Sequence, residues 1–589
     1  MDTITVDLSR DALFDSVGLK RLKDSYMLRD EISPQHRYAY VCSKLGSNIA
    51  HSQRLYEYAS KHWVSFSTPI LSLGRARAGL PISCYLSYLP DTSAGLLDTL
   101  REVNKLSMLG GGVGIGVNLR SPDSKSSGIM PHMKTYDACS LAYRQDEIRR
   151  GSYAMYLDIN HPEILSFIDM RKVTGDHNIR CHNLHHGVNI TDDFMNIIEN
   201  CTKDPSFDDS WALIDPHTKK VVKIESAKDM WQKILDTRMF RGEPFLCFID
   251  TCNKHMNPYQ KAQGKTIKQS NLCSEITLFT DQDNTAVCCL SSLNIAKYDE
   301  WKSNPLFIKD VAELLDNALT MFITKAPIDI NRAIRTASNE RSIGIGILGL
   351  HDYFQSKLIA METDEARKLN IQIISDIKTK VDDANLALGH ERGSPPDIIG
   401  SGKRFCCTMA IAPTASTSII MGNISPSIEP YRANIYRQDT LSGSNLTKNR
   451  HLDNILKSRF DESTTAELWQ NILMHSGSVQ HLPDKILSRH EKNVFKTAME
   501  IDPMCLVRLA ADRQPYIDQS QSFNIFLTPN IDVQTLHMVH FLSWKLGLKT
   551  MYYLRSTKAV DTDKLGEKPF INSNVCVRNS NGAECTACQ

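Results

Sequence analysis

From about residue 61 onward, short apolar runs alternate with longer stretches of helical periodicity, and no other pattern restricts the fold as much. A short apolar run crosses a core once as a buried strand, and a helical stretch then carries the chain back across it. The alternation therefore predicts an α/β fold. "GGGVGIGVNLR" (110–120) is the clearest strand, with Val113, Ile115, Val117 and Leu119 on one face. Its glycines leave the other face bare, which suits close approach of a backbone or a ligand. "PFLCFID", "FNIFL" and "TMYYLRS" read as further strands. "TDEARKLNIQIISDIKTKVDDANLALG" (363–389) predicts a helix with Ile373, Ile377, Val381, Ala384 and Leu388 as its apolar stripe. Asp364 and Glu365 suit its first turn and Gly389 its end. Residues 1–60 read as a mainly helical region, 61–558 as the α/β body and 559–589 as a flexible tail.

A chain of 589 residues, 41% hydrophobic, can bury one large core with appendages. Lys and Arg number 68 against 67 Asp and Glu, so no basic field points to nucleic acid. The N-terminus lacks a secretory layout, and no apolar run approaches the ~18 residues of a membrane span. A soluble, cytoplasmic setting is expected (host cytoplasm if the chain is virus-encoded), with no membrane partner. The 16 cysteines then read as thiols, ligands or redox groups rather than a disulfide framework. The glycines of 110–116 do not have G-x-G-x-x-G spacing, and no G-x-x-x-x-G-K-[ST] occurs. His177, His182, His185 and His186 with Cys181 lack paired zinc-ligand spacing, so no metal site is expected.

The most informative stretch is "KQSNLCSEITL" (268–278). If it is extended, Asn271, Cys273 and Glu275 project from one face, roughly 7 Å apart in sequence order. An amide, a thiol and a carboxylate together can orient a hydroxyl, act as nucleophile or one-electron carrier, and take a proton. Taken alone, the pattern is more often a half-buried strand with incidental polar residues. Cys84 in "LPISCYLSYL" and Cys288 and Cys289 in "AVCCLSSLNIA" sit in strand-like runs, where buried cysteine is usually packing. Cys585 and Cys588 form a C-x-x-C in the tail. Together these sites suggest a relay: one inner pair gives up two electrons and the tail re-reduces it by thiol–disulfide exchange. From Tyr553 to Cys585 is 32 residues, a flexible span of roughly 30 Å.

Seven motifs occur in order: "STP" (67–69), "SC" (83–84), "NLCSE" (271–275), "CCLSSLN" (288–294), "APTASTS" (412–418), "MYYLR" (551–555) and the tail C-x-x-C. In this ordered set the chain resembles the catalytic large subunit of class I ribonucleotide reductases, from about residue 10 to its last residue. The resemblance implies a ten-stranded α/β barrel with a central finger loop carrying the radical cysteine. By the same likeness, Cys273 holds a thiyl radical that abstracts the ribose 3′ hydrogen, Glu275 takes the 3′-hydroxyl proton and Asn271 bonds the ribose. Cys84 and Cys288 donate two electrons as the 2′-hydroxyl leaves; Cys288, not Cys289, fits the C-x-L-S-x-x-N spacing. Ser416, Thr417 and Ser418 resemble a substrate-phosphate cradle at a helix start. Ser67, Thr68 and Ser83 resemble further substrate contacts. Tyr552 and Tyr553 resemble the pair that passes a radical from a separate small subunit. Adjacent strand residues face opposite ways, so their stacking requires a local bend.

The same likeness implies ribonucleoside diphosphate substrates, a radical-generating, metal-containing small subunit, thioredoxin or glutaredoxin as reductant, and a homodimer. No cofactor is expected in this chain. Deoxynucleotide or ATP effectors would meet Asp91, Thr92 and Arg120, with Gln145 and Arg149 in the communicating loop "RQDEIRRGS" (144–152). That loop departs from the family's glycine-rich form, with Asp146 and Glu147 after the glutamine. Because the likeness starts near residue 10, the family's separate ATP-binding regulatory domain is not expected in this chain. Three rivals stand beside this reading. One is the same chemistry driven by adenosylcobalamin. Another is a silent nucleotide-binding subunit, against which the full set of Asn271, Cys273, Glu275, Cys84 and Cys288 argues. The last is a general thiol–disulfide oxidoreductase built on the tail motif, which normally sits at a helix start.

Overall fold

The computed structural model describes residues 4–75, 79–143, 152–440 and 443–556. Three helices open it: α1 (Ser16–Ser25), α2 (Pro34–Leu45) and α3 (Ile49–Ser60). Each begins where a side chain caps the first turn, Asp15 accepting from Gly18 N, Ser33 from Gln35 N and Asn48 from His51 N. β1 (Val64–Phe66) and the short α4 (Thr68–Leu71) lead into the sheet.

One half of a barrel follows. β2 (Cys84–Pro90), after which α5 (Ser93–Met108) returns the chain, pairs in parallel with β3 (Gly112–Asn118). β4 (Ser152–Asp158) and β5 (His185–Ile190) continue in parallel. After an outlying hairpin of β6 (Ser210–Ile214) and β7 (Val221–Ser226), β8 (Phe245–Phe248) completes five strands. The second half starts with β9 (Ala286–Asn294), parallel to β10 (Ile343–Leu348). Two irregular segments extend it: Ile345 bridges Met409 in parallel, and Ile411 bridges Gln521. Beyond the separate hairpin β11 (Ile435–Thr440) and β12 (Gly443–Lys448), β13 (Ile525–Leu527) and β15 (Leu554–Ser556) pair in parallel, flanking β14 (Thr550–Met551). The ring closes through two antiparallel seams, β2 with β9 and β14 with β8. Round this ring β2, β3, β4, β5 and β8, then β9, β10, segments 407–411 and 519–523, and β14 make ten strands among the described residues, as the resemblance implies.

The glycine face of β3 looks inward and is filled by backbone. A Cβ on Gly114 would lie 2.1 Å from Ser270 O and 2.6 Å from Asn271 Cα, and one on Gly112 2.9 Å from Leu272 Cδ2. The loop 267–281, pinned at its base by the Ile267–Phe279 bridge, threads the barrel along that bare face. Val113, Ile115, Val117 and Leu119 point the other way into the main core against the helices. The long helix Asp364–Arg392 extends past the expected end and stops at Gly393, whose φ of 79° and ψ of 160° are a conformation suited to glycine that breaks the helical path. Gly389 instead lies within it, because a Cβ there would meet Gly402 O at 2.0 Å. Among the described residues, no helix is long and apolar enough to cross a membrane.

Candidate active site

The segment around Cys273 is a tight turn, not the extended run expected from residue alternation. Ser274 takes φ +64°. The Asn271 carbonyl oxygen Oδ1 accepts from Glu275 N at 3.0 Å and Ile276 N at 3.1 Å, so this side chain holds the turn closed. Its Nδ2 is buried and has no partner among the described residues. Three neighbours clamp the turn's carbonyls: Tyr156 Oη donates to Asn271 O (2.7 Å), Ser522 Oγ to Cys273 O (2.6 Å) and Thr550 Oγ1 to Ser274 O (2.6 Å). The thiol and carboxylate therefore meet at a rigid loop tip, with Cys273 5% and Glu275 1% exposed.

The antiparallel seam does the rest. Cys84 and Cys288 are directly opposed across β2 and β9. Opposed residues share a face with Cα atoms about 4.5–5.5 Å apart, inside the span a disulfide bridges. No disulfide joins them in this structure. Cys84 Sγ donates to Glu275 Oε1 at 3.8 Å, and Ser522 Oγ to Glu275 Oε2 at 3.2 Å. Burial pushes the Cys288 thiol well above its ordinary range, and Gln519 Nε2 donates to it at 3.6 Å. Cys289 alternates outward into the helix-facing core, while Cys288 packs with Cys84 and Cys407 inside. A cavity is lined by Cys84, Cys273 and Glu275, by Ser67, Thr68 and Ser83, and by Thr414 and Thr417, while Cys288, opposed to Cys84, lies outside that lining.

The hydroxyls of 416–418 do not act as one row. The helix Ala415–Ile420 is only six residues long, and of the three only Thr417 lines the cavity. Ser418 Oγ donates to Ala415 O, and Ser416 Oγ accepts from Arg21 Nη2 at 2.8 Å. Tyr552 and Tyr553 interrupt the strand between β14 and β15, and this supplies the bend. Their ring centroids lie 4.3 Å apart, tilted by 52°. Tyr552 is buried in one cluster with Cys273, Leu272 and Phe245, and half-buried Tyr553 packs against it.

Asp91, Thr92 and Arg120 gather at the ends of β2 and β3. Arg120 Nε donates to Asp91 Oδ2 at 2.6 Å, while Thr92 caps α5 by accepting from Gly95 N. Gln145, Arg149, Cys585 and Cys588 lie outside the described residues. His185 Nδ1 and His186 Nδ1 both contact Glu243, at 2.8 and 3.3 Å. Burial would raise that carboxyl, but Arg171 and the two histidines outweigh it and hold it well below the usual range. Sequence reasoning missed Gln519, Ser522, Thr414 and Arg21. "QSQSFN" (519–524) gives no clear signal for the first two: it follows Asp518 and has the composition of a loop, yet its residues are all buried.

This architecture has known counterparts. The family described as "Ribonucleotide reductase, barrel domain" matches residues 82–398 and 396–554, and "Ribonucleotide reductase, all-alpha domain" matches 12–78. The chain is 48% identical to the ribonucleoside-diphosphate reductase large subunit of Invertebrate iridescent virus 3, covering 95% of this chain and 97% of that one. It is 40% identical to the large subunit of Invertebrate iridescent virus 6, with 97% and 95% covered. Among solved structures, the Actinobacillus ureae class Id ribonucleotide reductase alpha subunit superposes with a TM-score of 0.81 at 30% identity, over 93% of this chain and 98% of that one.

Proposed function

Since the chain belongs to the family of ribonucleotide reductase large subunits, we propose that it reduces ribonucleoside diphosphates to 2′-deoxyribonucleoside diphosphates at the cavity over Cys273. The observation that carries this reading is the register of Cys84 opposite Cys288, beside a loop tip that presents Cys273 and Glu275 to the same cavity. A thiyl radical on Cys273 takes the 3′ hydrogen of the ribose. Glu275 accepts the 3′-hydroxyl proton, and the substrate radical expels the 2′-hydroxyl as water. Cys84 and Cys288 supply two electrons and the protons, ending as a disulfide, and Cys273 recovers its radical when it returns hydrogen to C3′. The balance is one diphosphate and one dithiol giving one deoxy product, one disulfide and one water. A barrel that excludes water keeps the radicals from side reactions.

A separate small subunit would supply the oxidising equivalent. The relatives carry the name "large subunit", and the contacting pair Tyr552–Tyr553 offers a route to Cys273. This favours an external radical source over adenosylcobalamin. No cofactor is assigned to this chain. Deoxynucleotide or ATP effectors would bind near Asp91, Thr92 and Arg120, in a homodimer located in the cytoplasm. Cys585 and Cys588 would carry electrons from thioredoxin or glutaredoxin to the inner disulfide. Single turnover of pre-reduced enzyme with small subunit and CDP tests the reading. It should yield dCDP and a Cys84–Cys288 disulfide by peptide mapping. Product formed with both thiols still reduced would refute it.

A further inference from the structure

We propose that Arg21, on α1, is the cationic residue that recognises the diphosphate of the substrate. This deepens the reductase reading and rests on it. A nucleoside diphosphate brings a strongly anionic tail, yet the cavity wall includes no lysine, arginine or histidine and does include the carboxylate of Glu275. Hydroxyls alone leave that charge uncompensated in a partly desolvated site. The cation tied to the 414–417 stretch of that wall comes from the helical N-terminal segment. Arg21 Nη2 donates to Ser416 Oγ at 2.8 Å, and Ser416 lies between Thr414 and Thr417, which line the cavity.

Arg21 is held in place but chemically unspent. No carboxylate pairs with it among the described residues, and its Nε is buried without a hydrogen-bond partner. Among the described residues, only one of the donors of its guanidinium fork is committed, to a neutral hydroxyl. A half-buried guanidinium with idle donors is costly until an acceptor arrives, and its planar fork matches phosphate oxygens two at a time. The helix that carries it is tightly seated. A Cβ on Gly18 would fall 2.8 Å from Ile419 O, and Asp15 Oδ2 accepts from Asn423 Nδ2 on the far side of the same short helix. Tyr26 at the end of α1 adds a contact between its hydroxyl and Thr68 Oγ1 at 3.4 Å. The all-α segment thus sets a cation beside the 414–417 wall of a site whose reacting groups all come from the barrel.

The test is equilibrium binding of CDP, CMP and cytidine to the full chain, for the wild type, Arg21→Gln and Arg21→Lys. Arg21→Met, which keeps the aliphatic stem, serves if the glutamine variant fails to fold. Loss of the guanidinium should weaken CDP about ten- to hundredfold, the range of a charge-assisted bond. CMP should weaken less, and cytidine should stay within about twofold. Lysine should restore part of the CDP affinity, and in turnover KM for CDP should rise while kcat holds. Unchanged CDP binding by a folded Arg21→Gln or Arg21→Met chain overturns the inference. So does equal weakening of cytidine and CDP, which marks a structural role only. A wild-type chain that binds no CDP fails the reductase reading itself and takes this inference with it.

Discussion

Gly114→Ala adds a single methyl group, yet it should silence the enzyme without unfolding it. The new Cβ would sit 2.1 Å from Ser270 O and 2.6 Å from Asn271 Cα, against the roughly 3.5–4.0 Å that carbon contacts prefer. β3 cannot retreat, because Val113 and Ile115 on its other face are fully buried against the helices. The loop must therefore move by about 1 Å, and this loop carries Cys273. Overpacking of this kind costs about 1–3 kcal/mol, which in so long a chain shifts the unfolding midpoint by only a few degrees. Misplacing a reacting group by about 1 Å costs about a hundredfold in rate. The assay is CDP reduction with the small subunit present, beside the thermal unfolding midpoint. The expected outcome is kcat lower by about two orders of magnitude, with the midpoint down by only a few degrees. Wild-type turnover by a folded Gly114→Ala enzyme would refute the claim that β3's bare face sets the position of Cys273.

Tyr552→Phe and Tyr553→Phe remove an oxidisable phenol while keeping the ring, so each should stop turnover driven by the small subunit yet leave the two subunits bound, as co-sedimentation would show. The double variant Cys585→Ser/Cys588→Ser should complete about one turnover from pre-reduced enzyme, then stall with thioredoxin and recover partly with a small dithiol; sustained turnover with thioredoxin alone would remove the tail from the relay. Burial, with a contribution from Asp397, raises the Glu340 carboxyl from 4.5 to about 8. The folded state thus binds this proton more tightly than the unfolded chain, and the contribution to stability is full below pH 4.5 and lost as pH rises towards 8. Glu340→Gln should flatten the fall in unfolding midpoint between pH 5 and pH 8, roughly the window of that shift, and an unchanged slope would assign the fall to other groups.

Much of the barrel was legible because period-two alternation is a local property. The glycine face of β3 announced close backbone approach, and strand alternation separates Cys288, facing in, from Cys289, facing out. The turn at 271–275 was not legible. N-x-C-x-E alternates like a strand, and nothing in its composition reveals that Ser274 takes a positive φ or that Asn271 bonds its own loop. Gly389 read as a helix end because that is glycine's commonest use; the real cause, contact with Gly402, lies 13 residues ahead in sequence. Segment 519–523 was passed over because its glutamines and serines resemble a loop. They are buried only because the second half-barrel surrounds them. Arg21 lies 395 residues from its partner Ser416, a pairing that no local pattern encodes.

The central claim is that one thiol, Cys273, drives ribose reduction in a cavity whose reducing equivalents come from Cys84 and Cys288. The most direct measurement is deoxynucleotide formation from CDP by the purified chain with its small subunit, comparing wild type with Cys273→Ser. The account predicts steady dCDP production by the wild type and none by Cys273→Ser, whose CDP affinity should stay unchanged. Substantial dCDP from the serine variant would contradict it.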